Sequence, residues 1–378
     1  MNSADIIKKS KVIVVKIGSV LVTDKEKGIT KKAWIKSLAE DVKAWQSQGK
    51  KVVIVSSGAI ALGRDALGIS KNTPPSKIPL EQKQAASAVG QFHLFAAYFD
   101  AFSNVDLQAA QVLLTMSETE NWRMHLNARA TLQTLIEKNI VPIINENDTI
   151  STGEIRFGDN DRLSVRVAQM IEANLVVLLS TTDGLYTADP TQVKDATHLP
   201  FIKTITDEHI QMAGDAVSGL STGGMKSKIE AAISATRSGI SLLITKGMEK
   251  SPLKTLSKGS PCTIFLAQES RANARKRWLQ EHLSPRGSVI VDDGALKALE
   301  GGKSLLPIGV KKLDGEFNRG DAVYIKSSNG KILGMGLIAY NTEDASRIIG
   351  KSSDKIPAIL GYAGRKELIH RNDMALRD

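Results

Sequence analysis

Short apolar runs alternate along the first 250 residues with longer stretches in which apolar positions recur every three or four residues. The runs Lys11 to Ile17, Lys51 to Val55, Asp106 to Leu113, Val141 to Ile144, Leu175 to Leu179 and Ser241 to Thr245 read as buried strands. Between them, Trp34, Leu38, Val42 and Trp45 keep helical spacing before a glycine stop at Gly49. Further helical patterns cover about Leu80 to Phe102, Ala128 to Lys138, Leu163 to Glu172 and Met225 to Ser238. Strands alternating with helices predict an α/β three-layer αβα sandwich around a mainly parallel sheet. After Phe265 the pattern changes. A charged stretch from Glu269 to Pro285, with a short helix around Trp278, precedes short apolar segments at Ser288 to Val291, Leu306 to Val310, Ala322 to Ile325 and Ile332 to Ala339. Asp314-Gly315 and Asn329-Gly330 are turn signals, so this part predicts a small, mostly β domain. The expected boundaries are 1–268 for the α/β domain, 269–285 for a linker and 286–378 for the second domain.

The polar interruptions carry the chemistry. Lys16 breaks the first strand at its carboxyl end, where ligands of open α/β sheets bind, and a buried lysine is costly without a partner. Ser56 to Gly63 follows the second strand with small residues that suit close approach of a ligand, or a serine helix cap. Asn145-Glu146-Asn147-Asp148-Thr149 leaves the strand at Val141, and a loop through Glu154 and Arg156 leads to Gly158-Asp159-Asn160-Asp161. Asp159 or Asn160 has the composition of a cap for the helix that follows. Finally Ser221 to Lys228 sets paired glycines and two lysines before a helix, which is phosphate-handling chemistry. Gly219 and Gly224 have Walker A spacing, but Met225 stands where the lysine belongs, so a P-loop is disfavoured. No G-x-G-x-x-G follows the first strand, and lysines, an anion loop and carboxylates together suit phosphoryl transfer better than hydride transfer.

Composition narrows the classes. The 378 residues suit two or three domains, and no apolar run approaches the ~20 residues that span a bilayer. Met1 to Lys11 has no signal-like apolar core, so a cytoplasmic location is expected. One cysteine, Cys262, excludes an intrachain disulfide, and the six histidines show no metal-ligand spacing. The formal charge is +10, and residues 271–378 hold 19 basic against 13 acidic side chains. That tail lacks clustered aromatics and dense basic runs, which disfavours RNA binding as the main function.

Six motifs in order then resemble the glutamate 5-kinases, amino-acid kinases with an appended PUA domain: Val14 to Ser19, Ser56 to Ile60, Ile144 to Asp148, Gly158 to Asp161, Gly184 to Thr187 and Thr222 to Met225. Arg286-Gly287-Ser288, Ser304 to Pro307 and His370 to Met374 resemble the family's second domain. The resemblance implies ATP-dependent phosphorylation of the L-glutamate side-chain carboxylate, the first step of proline biosynthesis. It implies Lys16 and Lys228 as catalytic lysines with Asp161 orienting them, and Ser57, Gly58, Asp148 and Asn160 as glutamate-binding. ATP would lie against Lys16, Ser180, Thr181, Thr222, Gly223, Gly224, Met225, Lys226, Ser227 and Lys228. Mg²⁺ would arrive with ATP, with no metal site built by the protein alone. Proline as feedback inhibitor, a dimer or tetramer, and hand-over to a glutamyl phosphate reductase are further implications. Thr181 departs from the family, which carries aspartate there, and Asp183 lies two residues on. Kinases of the same fold for acetylglutamate, aspartate, carbamate or UMP are the alternative, and both the Ser56 to Ile60 motif and the second domain argue against them.

Overall fold

The computed structural model describes residues 2–24, 26–70, 72–116, 118, 122–151, 159–214, 224–270, 273–274, 276 and 284–376. The loop through Glu154, Arg156 and Gly158, the residues Thr222 and Gly223, and the predicted helix around Trp278 lie outside them. The chain divides into two compact units, 1–120 with 127–269, and 121–126 with 270–378. Among the described residues no helix is long and apolar enough to cross a membrane.

The first unit is built on eight strands: β1 (Val12–Ile17), β2 (Lys51–Ser56), β3 (Ala109–Leu114), β4 (Val141–Glu146), β5 (Leu175–Ser180), β6 (Phe201–Ile202), β7 (Ser241–Lys246) and β8 (Cys262–Phe265). They lie in the order β6-β8-β7-β5-β1-β2-β4-β3. Every pairing is parallel except β7 with β8, so the sheet is mainly parallel with a reversed edge. Side chains alternate across a strand, and both faces of β1 are buried against different helices. Ile13, Val15 and Ile17 pack with helix α1 (Lys32–Ser47) and helix α3 (Leu80–Ser103). Val14, with Val53, Val176 and Leu178 of its neighbours, packs with α4 (Asp159–Met170) and α5 (Met225–Arg237). The three-layer sandwich expected from the sequence is therefore the architecture observed.

Between α1 and α3 lies the short helix α2 (Ala59–Gly63), and it meets α3 at two glycines. A Cβ on Gly63 would come within 1.8 Å of the Ala86 carbonyl oxygen, and one on Gly90 within 1.8 Å of the Ala59 oxygen. Gly63 is thus used for helix contact rather than ligand approach. Two local expectations are also corrected. The helix at Leu163 starts earlier, at Asp159, so Asn160 and Asp161 sit in its first turn. Ser57 is not a cap, because Gly58 holds that position with φ 121°.

Capping of a different kind fixes this unit's periphery. Asp41 of α1, 4% exposed, accepts from the Leu253 and Lys254 backbone N–H groups at 2.9 and 3.1 Å. It satisfies the start of the helix Pro252–Ser257, whose first N–H groups have no partner within their own helix.

The second unit holds five strands, β9 (Gly287–Val291), β10 (Val310–Gly315), β11 (Ala322–Lys326), β12 (Ile332–Leu337) and β13 (Met374–Leu376), in the order β10-β9-β11-β12-β13. Only β9 with β11 is parallel, and Val289, Val323, Ile325, Ile338 and Leu368 form the centre of its core. Asn329-Gly330 makes the expected hairpin between β11 and β12, with Gly330 at φ 82°. The strand expected at Leu306 to Val310 instead begins at Val310. Pro307, which has no N–H to give a ladder, opens a 3₁₀ turn through Gly309.

Candidate active site

Lys16 shares with Val14 the face of β1 that looks toward α4 and α5. At 6% exposure its ammonium needs a counter-charge, and Asp161 in the first turn of α4 supplies it at 2.7 Å. Lys228, in the first turn of α5 and also 6% exposed, reaches the other oxygen of Asp161 at 3.3 Å. Ser227 donates to the same carboxylate at 2.8 Å. One fully buried carboxylate therefore holds two ammonium groups, and three elements distant in sequence meet there.

The electrostatics follow from this arrangement. Burial opposes ionisation of Asp161, but Lys16 and Lys228, aided by their hydrogen bonds and that of Ser227, more than offset it and bring its pKa to about 2. Asp161 is thus an anion at neutral pH, and a carboxylate with its pKa held so low is only a weak base. Burial pulls the Lys228 pKa below its usual value, Asp161 opposes that pull, and Lys16 adds to it. Gly224 stands at the cap position of α5 and brings no side chain to the amides of the first turn, and a helix start of this kind suits a phosphate.

A second cluster adjoins the first through the neighbouring residue Asn160. Its Nδ2 donates to Ser57 Oγ at 2.6 Å, to the Ser56 carbonyl at 3.1 Å and to Asn145 Oδ1 at 3.2 Å. Its Oδ1 is buried and has no hydrogen-bond partner among the described residues. Asp148, 7% exposed, accepts from Ser87 Oγ at 2.6 Å. Gly58 is bound to its position by conformation and space, since a Cβ there would meet the Thr23 methyl at 3.0 Å.

The expected residues are not equally united. Lys16, Asp161, Ser227 and Lys228 meet at one point, and Ser57 and Asn160 meet at the next. Ser180 ends β5 at the same sheet edge and its carbonyl accepts from the Gly247 N–H at 2.8 Å. Thr181 is exposed, and Asp183 takes the Tyr186 hydroxyl at 2.8 Å. Gly224 and Met225 begin α5, whereas Lys226 points to an exposed surface. Sequence reading missed Ser87, Gln91 and Tyr98 and gave no separate role to Ser56 and Asn145 of its motifs, and these five hold the second cluster from behind. The available signal was the polar pair Ser87 and Gln91, four apart on an apolar helix. Among the described residues, no three His, Cys, Asp or Glu side chains converge on a metal position.

The model of the amino acid kinase family matches residues 11–246, and that of the PUA domain matches residues 287–360. Curated glutamate 5-kinases of Brucella ovis and Brucella melitensis biotype 2 are each 49% identical over 365 residues, which covers 97% of this chain and 95% of theirs. Among solved structures, carbamate kinase from Giardia lamblia aligns over 68% of this chain and 99% of its own, with a TM-score of 0.48 and 18% identity.

Proposed function

The chain belongs to the glutamate 5-kinases of the amino acid kinase family, and we propose that it transfers the γ-phosphoryl group of ATP to the side-chain carboxylate of L-glutamate. The products are L-glutamyl 5-phosphate and ADP, the entry to proline biosynthesis. The observation that carries this reading is the pair of buried lysines held on Asp161.

The acceptor needs no general base, because a carboxylate is already ionised near neutral pH. What remains for the protein is alignment and charge. The attacking carboxylate oxygen forms a bond to the γ-phosphorus as the bond to the bridging oxygen breaks, and ADP leaves with that electron pair. Lys16 and Lys228 lie where they would offset the charge spread over the phosphoryl oxygens, and Asp161 keeps both ammonium groups in place. Ser57, Gly58, Asp148 and Asn160 hold glutamate in this reading. Glutamate's α-ammonium is its one hydrogen-bond donor, and Asn160 Oδ1, which has no partner among the described residues, and the Asp148 carboxylate are acceptors suited to it. The start of α5 at Gly224 and the end of β5 at Ser180 take the nucleotide in this reading.

Asp161 is committed to lysines and Ser227, which suits a Mg²⁺ ion that comes with ATP and is held by phosphate oxygens and water. When bound, the ion withdraws charge from the phosphates. Residues 1–268 carry catalysis in this proposal, 269–285 join the units, and 286–378 form the appended PUA domain. Family likeness also supports a cytoplasmic homo-oligomer inhibited by proline, passing its product to a reductase that uses acyl phosphates.

The test is glutamate- and ATP-dependent acyl phosphate formation, trapped with hydroxylamine, for the wild type and Lys228→Ala. A loss of roughly a hundredfold or more in kcat is expected. A variant within about threefold of wild type would remove Lys228 from catalysis.

A further inference from the structure

Helix α3 turns three polar residues inward among its apolar ones: Ser87, Gln91 and Tyr98, at 3, 8 and 0% exposure. Spacings of four and seven put them along one face. Each is bonded to a different part of the second cluster. Ser87 donates to Asp148, Gln91 Oε1 accepts from Asn145 Nδ2 at 2.7 Å, and the Tyr98 hydroxyl pairs with Ser56 Oγ at 2.9 Å.

The Gln91 bond has the longest reach. A carboxamide has a donor end and an acceptor end, so fixing one fixes the other. With its Nδ2 given to Gln91, Asn145 turns its Oδ1 toward Asn160 and accepts from that residue's Nδ2 at 3.2 Å. Asn160 Nδ2 is directed at Asn145, Ser57 and the Ser56 carbonyl, and among the described residues its oxygen is left as a buried acceptor without a partner. Reversal of the Asn145 amide would set its Nδ2 against the Nδ2 of Asn160, donor against donor. Asn160 would then lose one of its acceptors and be held only by Ser57 and the Ser56 carbonyl, so its oxygen would be less firmly aimed at the substrate.

We propose that Gln91 is a positioning residue that, through Asn145, acts with the Ser56 carbonyl to hold the Asn160 oxygen toward glutamate and so favours the substrate's α-ammonium. The inference rests on the kinase reading above and adds a residue that touches neither substrate nor ATP.

Two variants of similar size separate the relay from simple packing. Gln91→Met keeps the volume and lacks the acceptor, whereas Gln91→Glu keeps an acceptor for Asn145. Steady-state ADP release gives KM for glutamate and for ATP, and inhibition by glutarate reports binding of a dicarboxylate with no ammonium. In Gln91→Met the KM for glutamate should rise about tenfold, the size expected when one buried polar group loses its partner. Its glutarate inhibition constant and KM for ATP should stay within about twofold, and Gln91→Glu should lie within about threefold of wild type throughout. The proposal is overturned if Gln91→Met binds glutamate as wild type does, if glutamate and glutarate weaken together, or if both variants are equally impaired. A wild-type chain with no glutamate-dependent ADP release would overturn the kinase reading itself, and this proposal with it.

Discussion

Asp161→Asn keeps the shape of the side chain and removes the negative charge between two ammonium groups. Lys16 lies 2.7 Å and Lys228 3.3 Å from the carboxylate. At an effective dielectric near 20 each contact is worth roughly 5 kcal/mol of gross attraction, most of it spent on removing the charges from water. Loss of one partner from such a buried pair leaves an uncompensated charge and costs about 3–5 kcal/mol. The true loss should fall at the lower end, about 3 kcal/mol, because Lys228 can escape by giving up its proton. Burial already lowers its pKa, and Asp161 is the main influence holding it up. That escape has a signature. The folded variant binds fewer protons than its unfolded chain over the range between the lowered pKa and the usual 10.5, so its stability climbs as pH rises. Urea unfolding at pH 6 and pH 9 should show the deficit against wild type shrinking at the higher pH. In the same variant kcat should fall roughly a hundredfold or more, since neutral Lys228 no longer offsets phosphoryl charge. Unfolding free energies within about 0.5 kcal/mol of wild type at both pH values, with kcat preserved, would refute the charge assignment.

Acid should act on the same centre from the other side. Asp161 has its pKa depressed from 3.8 to about 2, so its stabilisation is complete above the higher value and disappears as pH falls through the lower. The stability gap between wild type and Asp161→Asn should therefore narrow by about 2 kcal/mol from pH 5 to pH 2, and a constant gap in acid unfolding would contradict it. Gly63→Ala places a methyl 1.8 Å from a backbone oxygen, which the packed helix pair must move apart to accept. A loss of about 3 kcal/mol is expected in thermal unfolding, and a melting point within a degree of wild type would show that α2 and α3 do not pack so closely. Asp41→Ala strips two backbone N–H groups of their acceptor and should cost about 1–2 kcal/mol, with Asp41→Asn costing less than half as much. Equal losses in the two variants would mean that the charge, not the cap, matters.

The sheet was legible because its strands are apolar on both faces and bounded by turn residues, a pattern that leaves few alternatives. Its reversed edge was not. Cys262 to Phe265 is four residues long and carries no mark of direction, which comes from pairing with β7. Gly63 suggested a ligand because it follows a strand end. Its real neighbour, Ala86, belongs to another helix, and that contact exists only after α2 and α3 dock. The lysines that meet Asp161 were legible in the sequence and Gln91 was not, for a reason that lies in the energetics of burial.

A lysine inside a β-branched strand costs far more than local structure can return, so Lys16 announces that a counter-charge must exist elsewhere in the chain. The sequence then offers few carboxylates at strand exits, and Asp161 is among them. Gln91 announces nothing. Glutamine is about as good a helix former as leucine, and burying its amide costs little once one partner is found. Its partner, Asn145, stands in a polar stretch that the sequence does show, but nothing there points to Gln91, 54 residues away. Charged parts of a site therefore show in sequence through the penalty they would otherwise carry. Neutral relays show only when the fold brings both ends together, and here such a relay reinforces the direction of a single amide, Asn160, that the Ser56 carbonyl also holds.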